Sequence, residues 1–290
     1  MSIWKEYYQP RSIEEAVAVL SSSPAPSNII AGGTDLMLDL NQGNHPPVNA
    51  LIDITEIEEL KTIDVVNSEI IIGACVTHNQ IVKDQNVQNN ADALIEACGL
   101  IGGPQVRNSA TIGGNVAHAL PAADGTIGLL SLNTEVEIAS ATGKRRIPIT
   151  EFFVGPGRSI LEGKAEFVTR FFVPLKKACQ GSAFKRIMRA QGIALPILNN
   201  SVWIERDGDL IKEVRISIGP AGPTPFRAAN TEALLRGKIF SDETIALAQQ
   251  SILGEAKFRT SPRRATAEYR RQLVTELFRN TIIQAWQRTF

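Results

Sequence analysis

The chain has 290 residues, 30 basic against 30 acidic side chains and 43% apolar content. That length and apolar fraction support a large core divided between two or more domains. Zero formal net charge argues against a nucleic-acid or anionic-membrane partner recognised through a broad basic surface. No apolar run reaches the about 18 residues of a membrane span, so no membrane insertion is expected. The N-terminus, Met1-Ser2-Ile3-Trp4-Lys5-Glu6, lacks the basic-then-apolar order of a signal peptide. Cys75, Cys98 and Cys179 are widely spaced, which suits the reduced thiols of a cytoplasmic protein.

A helix is expected over residues 10–20. Ser12 can cap it, Glu15 follows at capping-box spacing, and Ile13, Ala16, Val17 and Leu20 share a face. After a Ser/Pro-rich break, residues 28–31 read as a short buried strand. It runs into Gly32-Gly33, with Thr34 as the N-cap of a short helix through Leu40. Residues 51–54 form a further strand. Residues 63–66 and 69–73 read as strands about a turn, a short helix starts at Thr77, and 92–101 is helical. Gly102-Gly103-Pro104 is a strong stop. A glycine-rich stretch follows, from Gly102 to Asp124, then an apolar segment 126–132. Strands 135–139 and 144–147 flank a turn, and strand 167–173 ends at Pro174. Beyond Lys176 the pattern is that of a second unit. Strands 183–189, 201–206 and 210–218 have a hairpin turn at Asp207-Gly208 between the last two. Helices follow over 232–236, 242–253 and after Pro262. An α+β fold results, its second unit a three-stranded antiparallel sheet covered by helices.

Most signatures of known chemistry are missing. Gly155-Pro156-Gly157 opens like a dinucleotide fingerprint, but Ile160 stands where the third glycine belongs. Cys75 and His78 have a metal-like spacing without a second pair, so core and loop roles are favoured over zinc, and an iron–sulfur cluster bound by this chain alone is disfavoured. His45, His78 and His118 have no nucleophile beside them in sequence. Arg259, Arg263, Arg264, Arg270 and Arg271 read as a solvated face or partner-docking surface. What remains is a pair of segments, Ala31-Gly32-Gly33-Thr34-Asp35 and Thr111-Ile112-Gly113-Gly114-Asn115. Either alone reads as a tight turn. Together, with glycine amides that can form an anion-binding nest and with Thr34, Thr111 and Asn115 as side-chain donors, they point to a phosphate-bearing ligand. The expectation is that they face each other across the diphosphate of a dinucleotide.

These residues also carry a family resemblance. Ile30–Leu36, Gly103–Asn108 and Ala110–Val116, followed by Pro121-Ala122-Ala123-Asp124, resemble the FAD-binding medium subunit of molybdenum hydroxylases. The likeness extends to residues 147–157, 182–185 and 269–273, and so covers nearly the whole chain. It implies a two-subdomain FAD-binding domain of the vanillyl-alcohol oxidase/PCMH type over 1–176, divided at about residue 57, and a C-terminal CO dehydrogenase flavoprotein-like domain over 177–290. By position it implies that Ile29, Ile30, Ala31, Gly32, Gly33, Thr34, Asp35 and Leu36, with Ala110, Thr111, Gly113, Gly114 and Asn115, hold the FAD diphosphate and ribityl chain. Asp124 would hydrogen-bond the cofactor, Phe167 or Val168 would pack near the isoalloxazine ring, and Lys185 would stand at its polar edge. Leu120 and Ala123 replace frequent serines, and Ile101 replaces an aromatic residue that can stack on the ring. No side chain is implied as an acid–base catalyst or metal ligand. The function implied is electron transfer inside an oxidoreductase of the xanthine dehydrogenase kind. Molybdopterin would lie on a large partner subunit, [2Fe-2S] clusters on a small one, and NAD would be the acceptor, with oxygen or a quinone as the alternatives. A self-sufficient FAD-dependent reductase and a non-redox nucleotide-binding protein are the alternatives.

Overall fold

In the computed structural model, residues 3–161, 163, 165–189, 195–262 and 264–290 are described. Strand β1 (Trp4–Tyr8) precedes helix α1 (Ile13–Ser22), which Ser12 caps by accepting from the Glu15 amide at 3.1 Å. The Glu15 carboxylate reaches back to the Arg11 amide at 2.8 Å, so the exposed end of the helix has its first donors satisfied. Strand β2 (Ser27–Ile30) leads through the first glycine pair into α2 (Leu36–Gln42) and then β3 (Val48–Asp53). These strands make a parallel sheet in the order β1-β3-β2, onto which α1 packs Ile13, Ala16 and Val17. The cap of α2 falls at Asp35 rather than Thr34, and the Asp35 side chain makes no capping bond.

A second body follows. It contains β4 (Ile63–Val66), β5 (Glu69–Gly73), α3 (His78–Lys83), α4 (Gln85–Asn90), α5 (Asp92–Leu100), α6 (Pro104–Ser109), α7 (Ile112–Ala117) and α8 (Asp124–Ser131). It closes with β6 (Glu135–Ser140), β7 (Gly143–Pro148), the small hairpin of β8 (Phe153–Gly155) and β9 (Arg158–Ser159), and β10 (Phe167–Pro174). Strand β10 is the middle of an antiparallel sheet ordered β4-β5-β10-β6-β7. Ile70, Ile72, Val136, Ile138 and Phe171 of that sheet meet Leu94, Ile127 and Leu130 of α5 and α8 in the main core.

The stretch from Gly102 to Asp124 is not the open loop that its glycines suggest. Pro104 occupies the first position of α6, where a missing N–H and a preset φ suit helix initiation. Thr111 then caps α7 by accepting from the Gly114 amide at 3.1 Å. A capping box at Thr77, whose hydroxyl and amide both engage Gln80, starts α3 in the same way.

The C-terminal body has β11 (Gln180–Met188), β12 (Pro196–Asp207), β13 (Leu210–Gly219) and the two-residue β14 (Phe226–Arg227), then α9 (Ala229–Leu235), α10 (Asp242–Glu255) and α11 (Ala267–Gln287). The three long antiparallel strands are those expected, extended at one edge by β14. Gly208, at φ +58°, turns the β12–β13 hairpin. On one face of the sheet Val202, Ile204 and Ile216 pack with Phe278 and Ile282 of α11. On the other, Phe184 and Trp203 enter the main core beneath α5 and α8. Burial on both faces explains why β12 is inaccessible from Pro196 to Ile204. The basic cluster is not a solvated face throughout: Arg270 is 1% exposed and donates to the carbonyls of Ile197 and Arg259. Arg263 lies outside the described residues.

Candidate cofactor site

The two glycine-bearing segments meet. Ser109 Oγ donates to the Gly32 carbonyl at 3.1 Å, and a Cβ on Gly32 would stand 2.0 Å from the Ser109 carbonyl oxygen. Behind them the amides of Ile112 and Gly113 donate to the Val76 and Ala74 carbonyls, each at 3.0 Å. A Cβ on Gly113 would lie 2.5 Å from the Ala74 oxygen. Gly32 and Gly113 are therefore required where backbone packs on backbone. Gly33 meets a different demand, φ +65° in the turn into α2. Gly114 is the open one: a Cβ there would meet nothing nearer than Thr111 Oγ1 at 3.3 Å.

Donors are divided unevenly across this seam. In the second segment the amides of Ile112, Gly113 and Gly114 are all engaged, with Val76, Ala74 and the Thr111 hydroxyl. In the first, the amides of Gly32, Gly33, Thr34, Asp35 and Leu36 have no acceptor among the described residues. A phosphate at the seam would take backbone donors from the first segment and meet the second as a wall. Asn115 adds a side-chain donor. Its Oδ1 accepts from the Thr126 amide at 3.0 Å and the Thr126 hydroxyl at 3.1 Å, which leaves Nδ2 uncommitted. A cavity of about 500 Å³ adjoins the seam, lined by Ala31, Gly32, Thr55, Lys61, Ser109 and Thr111 among others. Ile30 and Leu36 pack against Leu40, Val48 and Leu51 and Ile29 against the α1 core, so these three support the turn from below. Ala110 is buried, and its carbonyl accepts from the His78 amide at 3.1 Å.

Among the described residues one charged pair crosses the seam. Asp35 Oδ2 and His118 Nδ1 are 3.1 Å apart. The His118 bond holds the Asp35 carboxyl below its ordinary value, and Asp35 in return holds His118 above its own. His78, 1% exposed, is the opposite case: burial, with Arg107 adding to it, pushes it down to about 4. It is neutral, and its Nδ1 has no hydrogen-bond partner among the described residues. Sequence reading passed over His118 because Asp35 lies 83 residues away, beyond the reach of any local motif.

The remaining expected residues lie towards the C-terminal body. Asp124 is 4% exposed, its carboxylate held by Arg186 at 2.5 Å and by Asn199 Nδ2 at 2.6 Å. Burial pushes this carboxyl up, and Arg186 and Asn199 pull it back. Neither partner was expected from sequence; both come from strands of the next body. Lys185 lines a second cavity of about 580 Å³ with Leu100, Phe184, Arg186 and Ile187. Val168 belongs to the main core, while Phe167, its neighbour in β10, packs on the opposite side of the sheet with Cys75. Burial pushes the Cys75 thiol up to about 12, so it is no nucleophile. Among the described residues no three His, Cys, Asp or Glu side chains converge as a metal site would require, and no helix is long and apolar enough to cross a membrane.

Residues 3–176 match the family model described as the FAD binding domain in molybdopterin dehydrogenase. Residues 182–285 match the C-terminal domain of the CO dehydrogenase flavoprotein. The chain is 30% identical over 281 residues to the xanthine dehydrogenase FAD-binding subunit of Escherichia coli O157:H7, covering 96% of this chain and 95% of that protein. It is 32% identical over 284 residues to the nicotine 6-hydroxylase medium subunit of Paenarthrobacter nicotinovorans, with 98% of each covered. Among solved structures it superposes on a chain of the carbon monoxide dehydrogenase from Hydrogenophaga pseudoflava lacking the Mo-pyranopterin moiety. That match has a TM-score of 0.93 at 29% identity and covers 98% of both chains.

Proposed function

The chain belongs to the family of FAD-binding domains of molybdopterin dehydrogenases, and from that premise we propose that it is the flavin subunit of a xanthine dehydrogenase-like complex. Its partners are a molybdopterin-binding large subunit and an iron–sulfur small subunit, its location the cytoplasm, and the complex oxidises xanthine or a related N-heterocycle. When bound, FAD would supply the redox chemistry that links clusters on the partner to NAD. The work of this chain is to bind and orient it. The free amides of Gly32 to Leu36 hold the diphosphate, Asn115 Nδ2 adds a donor, and Gly114 leaves room for the cofactor to approach. Thr111, Ala110 and Gly113 form the wall behind it, and Ile29, Ile30 and Ala31 carry the turn. Asp124 and Val168, buried in the protein's own contacts, would shape the ring side from behind, and Lys185 lines a separate cavity.

The observation that carries this reading is the seam itself, where two glycine segments meet with unspent donors on one side beside a cavity. Two of the relatives named above, the xanthine dehydrogenase and nicotine 6-hydroxylase subunits, support an N-heterocycle as substrate; the carbon monoxide dehydrogenase chain does not bear on that choice. Purified chain incubated with FAD is expected to keep flavin absorbance through gel filtration, and a colourless protein peak would end the proposal. Gly114→Val meets only the Thr111 hydroxyl, at 3.3 Å from its Cβ; once circular dichroism shows that it is folded, it is expected to lose most of its flavin, and full occupancy would remove Gly114 from the site. Isolation from the native host with a molybdenum-containing large chain, and bleaching of the bound flavin by NADH, test the partner and the acceptor separately.

A further inference from the structure

The cradle contains a carboxylate that an anionic cofactor should not tolerate. Asp35 follows directly on the amides of Gly32, Gly33 and Thr34, and 63% of its side chain is exposed. A diphosphate drawn to those amides comes close to this charge, and like charges at such range oppose binding. Among the described residues the group paired with Asp35 is His118, from the end of α7, with 34% of its side chain exposed. We propose that His118 is a positioning residue for the cofactor: paired with Asp35 across the seam, it ties the two segments together and cancels the carboxylate that would otherwise repel the diphosphate. This rests on the reading of the seam as an FAD site.

The surrounding charges favour a protonated His118. From α2 and its cap it faces Asp35 and Asp39, both of which raise its proton affinity. His78 of α3 is neutral. Arg107 of α6 is spent on the Ile101 and Gly102 carbonyls and on Asn79. The β8–β9 hairpin reaches this corner through the Gly157 amide, which donates to the Ala119 carbonyl; its Arg158 has interactions of its own. Asp124 of α8 is held by Arg186. Lys61 and Lys83 line the adjoining cavity, where they can attract phosphate, but His118 is the group in contact with Asp35.

The test is the pH dependence of FAD affinity, measured by flavin fluorescence on the full chain stripped of cofactor, between about pH 5.5 and 9, a range that spans the ordinary histidine value. In the wild type, Kd is expected to be flat at the acid end, to rise as His118 loses its proton, and to level off near the value of His118→Gln. His118→Gln should bind weakly with no such inflection. His118→Lys should bind well through neutral pH, and His118→Gln/Asp35→Asn should recover part of the loss because no carboxylate is left. A wild-type profile without inflection, or His118→Gln matching the wild type, overturns the proposal. Absence of flavin binding by the wild type at every pH overturns the FAD reading itself, a result distinct from either. Both side chains are partly exposed, and near-ultraviolet circular dichroism should confirm that each variant is folded.

Discussion

At the scale of single residues, the four glycines of the cradle have three different reasons to be glycine, and substitution should separate them. Gly32→Ala and Gly113→Ala force a methyl against the Ser109 and Ala74 carbonyls, an overpacking of about 1–3 kcal/mol. A thermal midpoint lower by roughly 2–4 °C per kcal/mol is then expected in the apo chain. Gly114→Ala, which meets only the Thr111 hydroxyl at 3.3 Å, should shift that midpoint far less and show its main effect in flavin affinity. The Asp35–His118 pair also has a sign that can be checked in folding. His118 is raised, so its contribution is present at acid pH and is lost as pH rises through its folded value. Asp35 is lowered, so its contribution is present above the ordinary carboxylate range and fades as pH falls. The pair is thus most favourable from weakly acidic to near-neutral pH. Exposure keeps the effect small, within about 1 kcal/mol. Thermal melts of His118→Gln should therefore differ from wild type between pH 5 and 7 and converge with it at alkaline pH.

At the scale of elements, Asp124 of α8 and Arg186 of β11 form a buried ion pair, each side chain 4% exposed. Removing one partner of such a pair costs about 3–5 kcal/mol, because the other charge stays buried. Arg186→Met should therefore unfold at markedly lower urea, and Arg186→Met/Asp124→Asn should recover part of the loss. If the single variant is as stable as the double, the pair does not join the two elements as described. Elements of this protein were legible in sequence where their signal is local. Alternation marked β5, β6 and β13 to within about a residue, and Ser12 and Thr77 marked helix starts through caps that the structure contains. The misses have physical causes. β1 is largely exposed, so it lacks alternation, and its pairing with β3 joins residues more than 40 positions apart. β14 is two residues long and exists through its partner β13. No helix was legible over 102–124 because intrinsic propensity opposes glycine in helices; the Ala74 and Val76 carbonyls hold α7 in place. In the site, the meeting of the two glycine segments was readable. Which of their amides remain free was not, since that depends on Val76 and Ala74 carbonyls belonging to another element.

At the scale of the whole molecule, the C-terminal sheet is a shared layer. Its inner face contributes Phe184 and Trp203 to the core of the preceding body. Contacts of Glu96 with the Phe184 amide at 2.7 Å and with Arg288 at 2.7 Å tie α5 to β11 and to the end of α11. Expressed alone, residues 177–290 would present that apolar face to water, and strong binding of a hydrophobic dye together with aggregation is the expected result. A cooperative melt of the isolated fragment, with little dye binding, would show instead that it is an independent unit. The contact between Gly32 and the Ser109 backbone has a consequence for the rate at which the cofactor is taken up. That packing is made by the chain's own backbone and needs no ligand atom, so the two walls are expected to stay in register without a closure step. Stopped-flow mixing of apo chain with excess FAD should then give a single exponential whose observed rate rises linearly with FAD concentration. A rate that levels off at high FAD would reveal an intervening rearrangement, and with it a cradle that is assembled by its ligand rather than offered to it.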